Sequence, residues 1–98
     1  MNSEIKEKIL DLEVQGGRSM TTKLKAMREK AGLTQLQLSE KTGIHYRTLQ
    51  YYEQGQMDFD HARIDKILSA AIVLNCGIED LINDPGVIEK VKEYQANL

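Results

Sequence analysis

The chain has 98 residues, which suffices for one domain with a single modest core and excludes most two-domain enzymes. Apolar residues make up 41% and charged residues 29%, the balance of a folded globular chain rather than of a disordered tail or a membrane protein. The net charge of −2 is unevenly distributed, because residues 21–59 carry +2 while residues 1–20 and 60–98 carry −1 and −3. The middle of the chain is therefore the part suited to a polyanion.

Apolar runs and ligating residues limit the location and the chemistry that we expect. The longest apolar run, Ala70–Leu74, is far shorter than the ~20 residues that cross a bilayer, and residues 1–10 lack a signal-peptide core. We therefore expect a cytoplasmic protein without a membrane partner. With one cysteine, Cys76, and no clustered histidines, the sequence predicts neither a disulfide nor a metal site. No cofactor is expected either.

Helix signals recur along the chain and strand signals do not, so the predicted class is all-α. Ser3 caps a first helix with apolar residues at Ile5, Ile9 and Leu12, which Gly16-Gly17 ends. Residues 1–20 are therefore predicted to form an N-terminal helical arm.

Three short helices are predicted next, each bounded by a cap or a glycine. The first runs over about residues 22–31 and ends at Gly32. The second covers Gln35–Lys41 after Thr34 as N-cap, and the third covers Tyr46–Glu53 before Gly55.

The last part of the chain carries the clearest helical periodicity. A core-facing stripe is predicted to end at Asn75 in a left-handed conformation; it comprises Ile64, Ile67, Leu68, Ala71 and Leu74. Ile78, Leu81 and Ile82 mark a short fifth helical segment. Asp84-Pro85 then begins a C-terminal helix with the apolar stripe Val87, Ile88, Val91 and Tyr94. The predicted units are thus the arm, a domain over 21–83 and a helix over 84–98.

The segment 35–54 meets the requirements for two short helices joined by a tight turn. Ser39 is small where the helices approach most closely, and Gly43 allows a left-handed backbone in the turn. Thr42 meets the expected apolar position only through its methyl group. Apolar residues recur on the predicted inner side, at Leu38, Ile44, Leu49 and Tyr52. Residues of these types at these offsets predict a helix-turn-helix.

The surrounding sequence carries a family pattern in Leu24–Gln35, in Gly43-Ile44, in Tyr52–Gly55 and in Ile64–Leu81. On these residues the chain resembles the lambda repressor/Cro superfamily of bacterial and phage DNA-binding domains, over about residues 22–82. The resemblance implies a compact five-helix domain whose third helix, Tyr46–Glu53, enters the major groove of double-stranded DNA. His45 stands where members often carry a small hydroxyl cap.

Helical geometry indicates which side chains of the third helix meet DNA. Because Leu49 and Tyr52 face inward, the outward positions are Tyr46, Arg47, Gln50 and Tyr51, with Thr48 at the edge. Arg47 suits guanine or a phosphate, and Gln50 suits adenine. The tyrosines suit phosphates or thymine methyl groups, although partial burial is the alternative for Tyr46 and Tyr51.

The resemblance implies further roles beside this helix. Gln35 matches a family position that contacts the DNA backbone and supports the recognition helix, and Thr34 and Gln54 flank the groove. Arg28 and Glu53 match a structural ion pair; the alternative is two unpaired surface charges. Outside the site, His45, His61 and Cys76 are interpreted as a cap, a surface residue and a small apolar filler.

The leading hypothesis is a transcriptional repressor, located with the nucleoid when bound to DNA, that binds a palindromic operator as a homodimer. The terminal helices are predicted to pair or to fold back on their own domain. One alternative is an antitoxin that represses its own promoter and binds a toxin through residues 1–17 or 85–97. Another is a protein-bridging module, since Arg47 is the only basic residue of the third helix. An enzyme is not expected, because the sequence shows no catalytic constellation or phosphate loop.

Overall fold

The computed structural model describes residues 21–98, and this part of the chain is entirely helical. Five α-helices are joined by short turns: α1 (Lys23–Lys30), α2 (Gln35–Thr42), α3 (Tyr46–Gln54), α4 (Ile64–Leu74) and α5 (Pro85–Ala96). Single 3-10 turns lie at Phe59–His61 and Ile78–Asp80. The all-α prediction is confirmed, whereas the predicted arm over residues 1–20 lies outside the described residues. Among the helices of residues 21–98, none has the length and apolar character needed to span a membrane.

The ends of the helices lie close to the positions that their capping residues predict. The hydroxyl of Thr22 accepts a hydrogen bond from the backbone N–H of Lys25 at 3.3 Å, which caps α1. At the other end of α4, Asn75 adopts the predicted left-handed conformation with φ +53°. This conformation lets its N–H reach the carbonyls of Ala71 and Ile72 and ends the helix.

One hydrophobic core lies between α1, the α2–α3 pair, α4 and the Ile78–Asp80 turn. Its most completely buried large side chains are Leu24, Leu38, Leu49 and Leu81. Phe59 is also buried, and its ring contacts that of Tyr52 edge to face at 5.1 Å between centroids. Residues from every element before α5 therefore share a single core.

The predicted core stripe of α4 is wrong at two positions. Ile64 is 64% exposed and Leu68 is 43% exposed, whereas the buried residues of the helix are Ile67, Ala70, Ala71 and Leu74. The core lies about one residue step around the helix from the predicted face. The apolar sector of α4 is wider than the core that it meets, so periodicity alone could not tell which edge of the sector is buried.

The predicted fifth segment is a 3-10 turn that buries Leu81 and Ile82 rather than an α-helix. Lys23 attaches it to α1, because its Nζ donates to the carbonyls of Glu79 at 3.2 Å and Ile82 at 2.8 Å. The C-terminal helix α5 begins as predicted, with Pro85 in its first turn and Asp84 as N-cap.

Candidate functional site

The turn between α2 and α3 is held by hydrogen bonds between its own residues. Gly43 adopts φ +77°, a conformation that favours glycine. The Ser39 hydroxyl donates to the carbonyl of Ile44 at 2.6 Å across the close approach of the two helices. The Thr42 hydroxyl donates to Leu38 O at 2.7 Å and accepts from Ile44 N–H at 3.2 Å. The polar atom of Thr42 is thus satisfied although the residue is buried.

Both helices of the motif have side-chain caps. Thr34 forms a capping box with Gln37, because its hydroxyl accepts from Gln37 N–H at 3.0 Å while its own N–H donates to Gln37 Oε1 at 2.9 Å. At α3, Nδ1 of His45 accepts from Arg47 N–H at 3.2 Å. The imidazole therefore does the capping that a hydroxyl does in the family pattern, as the interpretation of His45 required.

A charged hydrogen-bond network joins α1, α2 and α3 behind the outward face. The Arg28 guanidinium donates to both carboxylate oxygens of Glu53, at 2.7 Å from Nε and 3.0 Å from Nη2, and both residues are buried. Gln35 Nε2 donates to Glu53 Oε1 at 3.0 Å, and Arg28 Nη1 donates to Leu33 O at 2.8 Å. Since the hydrogen bond to Glu53 raises the pKa of Arg28, the pair stays charged at neutral pH.

This network fixes the end of the third helix relative to the first two. A bidentate Arg–carboxylate pair constrains direction as well as distance. The hydroxyl of Thr22 adds a further contact by donating to the carbonyl of Glu53 at 3.2 Å. The last turn of α3 is thereby attached to both α1 and α2.

The predicted DNA-facing residues lie on the accessible side of this frame. Tyr46 is 41% exposed, and Arg47 and Gln54 are exposed as well. Three residues of α3 are half-buried: Thr48, Gln50 and Tyr51. On α2, Thr34 is exposed and Gln35 is half-buried against Glu53. The inward position Leu49 is fully buried, so the helical phase used to choose the outward residues is the observed one.

One contact near the site had no signal in the sequence. Lys66 of α4 donates from Nζ to the carbonyl of Gly43 at 3.2 Å and so reaches the turn of the motif. The two residues are 23 positions apart, and nothing in the composition around Lys66 distinguishes it from other surface lysines. Only the packing of α4 against α2 brings them together.

The remaining candidate reactive groups lie outside this face. His61 is exposed at the Phe59–His61 turn, and Cys76 packs half-buried against the core after α4. Burial raises the pKa of the Cys76 thiol, and the carboxylates of Asp80 and Glu79 raise it further. A protonated thiol is a weak nucleophile at neutral pH, in agreement with the interpretation of Cys76 as an apolar filler.

Comparison with known protein families gives one match. A family model described as helix-turn-helix, of the Cro/C1 type, matches residues 24–81, which include α1 to α4 and the Ile78–Asp80 turn. Searches of curated proteins and of solved structures found no significant match.

Proposed function

Because the chain belongs to the Cro/C1-type, lambda repressor-like family of helix-turn-helix proteins, we propose that it is a transcriptional repressor that binds a palindromic operator as a homodimer. The family makes it a DNA-binding helix-turn-helix regulator. Repression, the operator and the dimer are the proposal.

The observation that carries the proposal is the contrast between the two sides of α3. Its inner side is fixed by the buried Leu49 and by the Arg28–Glu53 pair. Its outer side presents Arg47 and a row of neutral hydrogen-bonding side chains on a backbone held in place from behind. Sequence readout requires donors and acceptors at fixed positions, and a rigid helix in the major groove supplies them.

Individual roles follow from the chemistry of the side chains. Arg47 is proposed to contact guanine bidentately or a phosphate, and Gln50 to read adenine. Tyr46 and Tyr51 supply phenolic donors for phosphates and ring edges for thymine methyl groups, with Thr48 beside them. Around the groove, Thr34, Gln35 and Gln54 are proposed to contact the DNA backbone. Gln35 uses one amide N–H on Glu53 and keeps the other for this purpose.

Two copies are proposed because one such helix reads too few base pairs to select a site in a genome. A two-fold arrangement doubles the site and places the half-sites about one helical turn, ~34 Å, apart. The operator is then a palindrome.

The test is selection of duplexes from a random pool by the full chain, followed by titration of the selected duplex and a scrambled one at several salt concentrations. We expect an enriched palindrome and an affinity that falls steeply with salt, because neutralised phosphates release counterions. Salt-dependent binding without enrichment would contradict sequence specificity. If neither duplex binds, the DNA-binding proposal fails and protein bridging is favoured.

A further inference from the structure

The helices α4 and α5 expose a set of large apolar side chains that the core does not use. On α4, Ile64, Leu68 and Ile72 recur at every fourth position and are 64%, 43% and 77% exposed. On α5, the exposed Val87 and Tyr94 and the half-buried Val91 follow the same helical side. We define these six residues as the outer apolar face.

A groove makes the two halves of this face continuous. It has a volume of about 570 Å³ and is lined by five of the six residues, which are Ile64, Leu68, Val87, Val91 and Tyr94. Leu68 also borders a second, more open depression that includes Ile72 and Cys76. The face therefore extends from α5 across the groove and along α4.

The position of α5 beside the groove is fixed by a carboxylate. Asp60 accepts from the backbone N–H of Asn83 at 2.8 Å and from that of Asp84 at 2.9 Å, directly before α5. Ile88 packs the other side of the helix against the core. The outer apolar face is thus a preformed surface, and little conformational entropy is lost when it is covered.

We infer that the occupant of the outer apolar face is a second copy of this chain. The inference rests on the proposed function and deepens it, because it assigns the dimer interface to α4 and α5 together. The residues of α4 are part of it because the core leaves Ile64, Leu68 and Ile72 exposed.

The area of the face fits this occupant. The exposed fractions of its side chains correspond to a patch on the order of 600 Å², the upper end for the largest apolar patch of a monomer. A stable dimer buries about 800 Å² on each partner, apolar at the centre and polar at the rim. The face supplies most of that area, and the flanking polar residues of α5 supply a rim.

The charge of the face also fits. Asp60 and Lys90 are the charged residues that line the groove, one of each sign, and Asp60 is engaged by backbone N–H groups. A strongly acidic or basic partner would therefore gain little from this surface, and DNA would gain nothing. A copy of the same chain presents an equally apolar surface of balanced charge.

The face lies on elements other than the recognition helix. α3 packs on α1 and α2, whereas α5 packs on the Ile78–Asp80 turn. Two chains paired through α4 and α5 therefore keep their α3 helices available for two half-sites of one operator.

The experiment is sedimentation equilibrium of the full chain, without DNA, for the wild type and three variants. The double variant Leu68→Glu/Ile72→Glu places two charges in the proposed interface. Ile64→Asp is the milder variant; an acidic residue in the first turn of α4 favours the helix dipole, so this change preserves the fold. Met57→Glu is the matched control, because Met57 is a similarly exposed apolar residue, at 42%, outside the face.

We expect the wild type and Met57→Glu to be dimers. The double variant should raise the dimer dissociation constant by about 100-fold or more and Ile64→Asp by about 10-fold, with unchanged circular dichroism. A monomeric wild type would overturn the inference, whether residues 1–20 or a different protein covers the face. A dimer that resists both variants would also overturn it and would direct attention to the exposed Leu36 of α2.

Titration of the selected duplex separates this inference from the proposed function. A dimer that dissociates as expected but binds no DNA supports the interface and contradicts the proposed function. A chain that binds DNA and stays monomeric on it contradicts the interface and leaves DNA binding intact.

Discussion

The α2–turn–α3 unit and the outer apolar face are both made of short helices with regularly spaced apolar residues, yet they differ in what those residues meet. In the first region Leu38, Ile44 and Leu49 are buried, and the nearby polar groups of Ser39 and Thr42 are satisfied within the turn. In the second region comparable side chains remain exposed in the part of the chain that the structure describes. An apolar period therefore identifies a helix, but only its neighbours decide whether the residues form a core or a surface for another molecule.

The sharpest test of this difference compares the same kind of truncation in the two regions. Leu49→Ala should destabilise the chain by about 2–5 kcal/mol, because it leaves a cavity at a fully buried position. Ile72→Ala removes a side chain that is 77% exposed and should change the stability of the monomer by less than about 0.5 kcal/mol. Urea titrations at low protein concentration, where dimer formation contributes least, measure both values.

Gln50→Ala provides a second control for Leu49→Ala on the same helix. Its side chain lies on the outward side of α3, so the fold should remain intact. Equal losses for Leu49→Ala and Gln50→Ala would show that the helical phase of α3 is misassigned, and the choice of DNA-facing residues would fall with it.

The buried ion pair supplies the next largest effect. Glu53→Gln keeps the shape of the side chain but removes the charge that Arg28 binds, and we expect a loss of about 1.5–3 kcal/mol. Glu89→Gln makes the same change on the exposed side of α5 and should have almost no effect. Thermal unfolding of the two variants decides between a fixed network and two independent surface charges.

Replacing both partners sharpens the interpretation of this pair. The double variant Arg28→Met/Glu53→Leu removes both charges together and should recover much of the stability that the single variant loses. Its DNA affinity should nevertheless fall, because Gln35 loses the carboxylate that holds it and α3 is less firmly oriented. Recovery of both stability and affinity would mean that the network does not position the recognition helix.

On the DNA-facing side, Arg47→Ala should weaken binding to the selected duplex by about 1–3 kcal/mol if the guanidinium reads a base. If it contacts only phosphate, binding to selected and scrambled duplexes should weaken alike. Lys92→Ala, which removes the same charge from α5, is the control and should leave the affinity nearly unchanged. Fluorescence anisotropy with both duplexes measures the effects, and an unaffected Arg47→Ala would remove this residue from the interface.

Sequence reasoning succeeded in the motif because several residues had to agree there. Leu38, Gly43 and Leu49 stand at offsets that only one backbone arrangement satisfies, and Glu53 fits the same arrangement through its pairing with Arg28. The helices and most of their ends follow from these constraints and from local caps such as Asp84-Pro85.

The same reasoning was weaker for α4 and for long-range polar contacts. Ile64 and Leu68 fit an amphipathic period as well as Ala70 does, so the sequence could not tell that the core takes Ala70 and leaves the two larger residues exposed. Small residues are buried where elements approach closely, a feature that periodicity does not encode. The contact of Asp60 with the start of α5 depends on chain positions more than twenty apart, and only the folded structure reveals it.

The smallest expected effect concerns the cap of the recognition helix, where the motif is least like its family. His45→Ala removes the Nδ1 acceptor of Arg47 N–H and should destabilise the chain by about 1 kcal/mol, the usual cost of losing an N-cap. His45→Ser restores a hydroxyl cap and should recover the loss, whereas His61→Ala, at an exposed turn, should leave the melting temperature unchanged. Because the cap holds the first turn of α3, which carries Tyr46 and Arg47, His45→Ala should also weaken binding to the selected duplex more than to the scrambled one. If His45→Ala and His61→Ala melt at the same temperature, the imidazole contributes no cap, and solvent satisfies the N-terminal N–H groups of α3 instead.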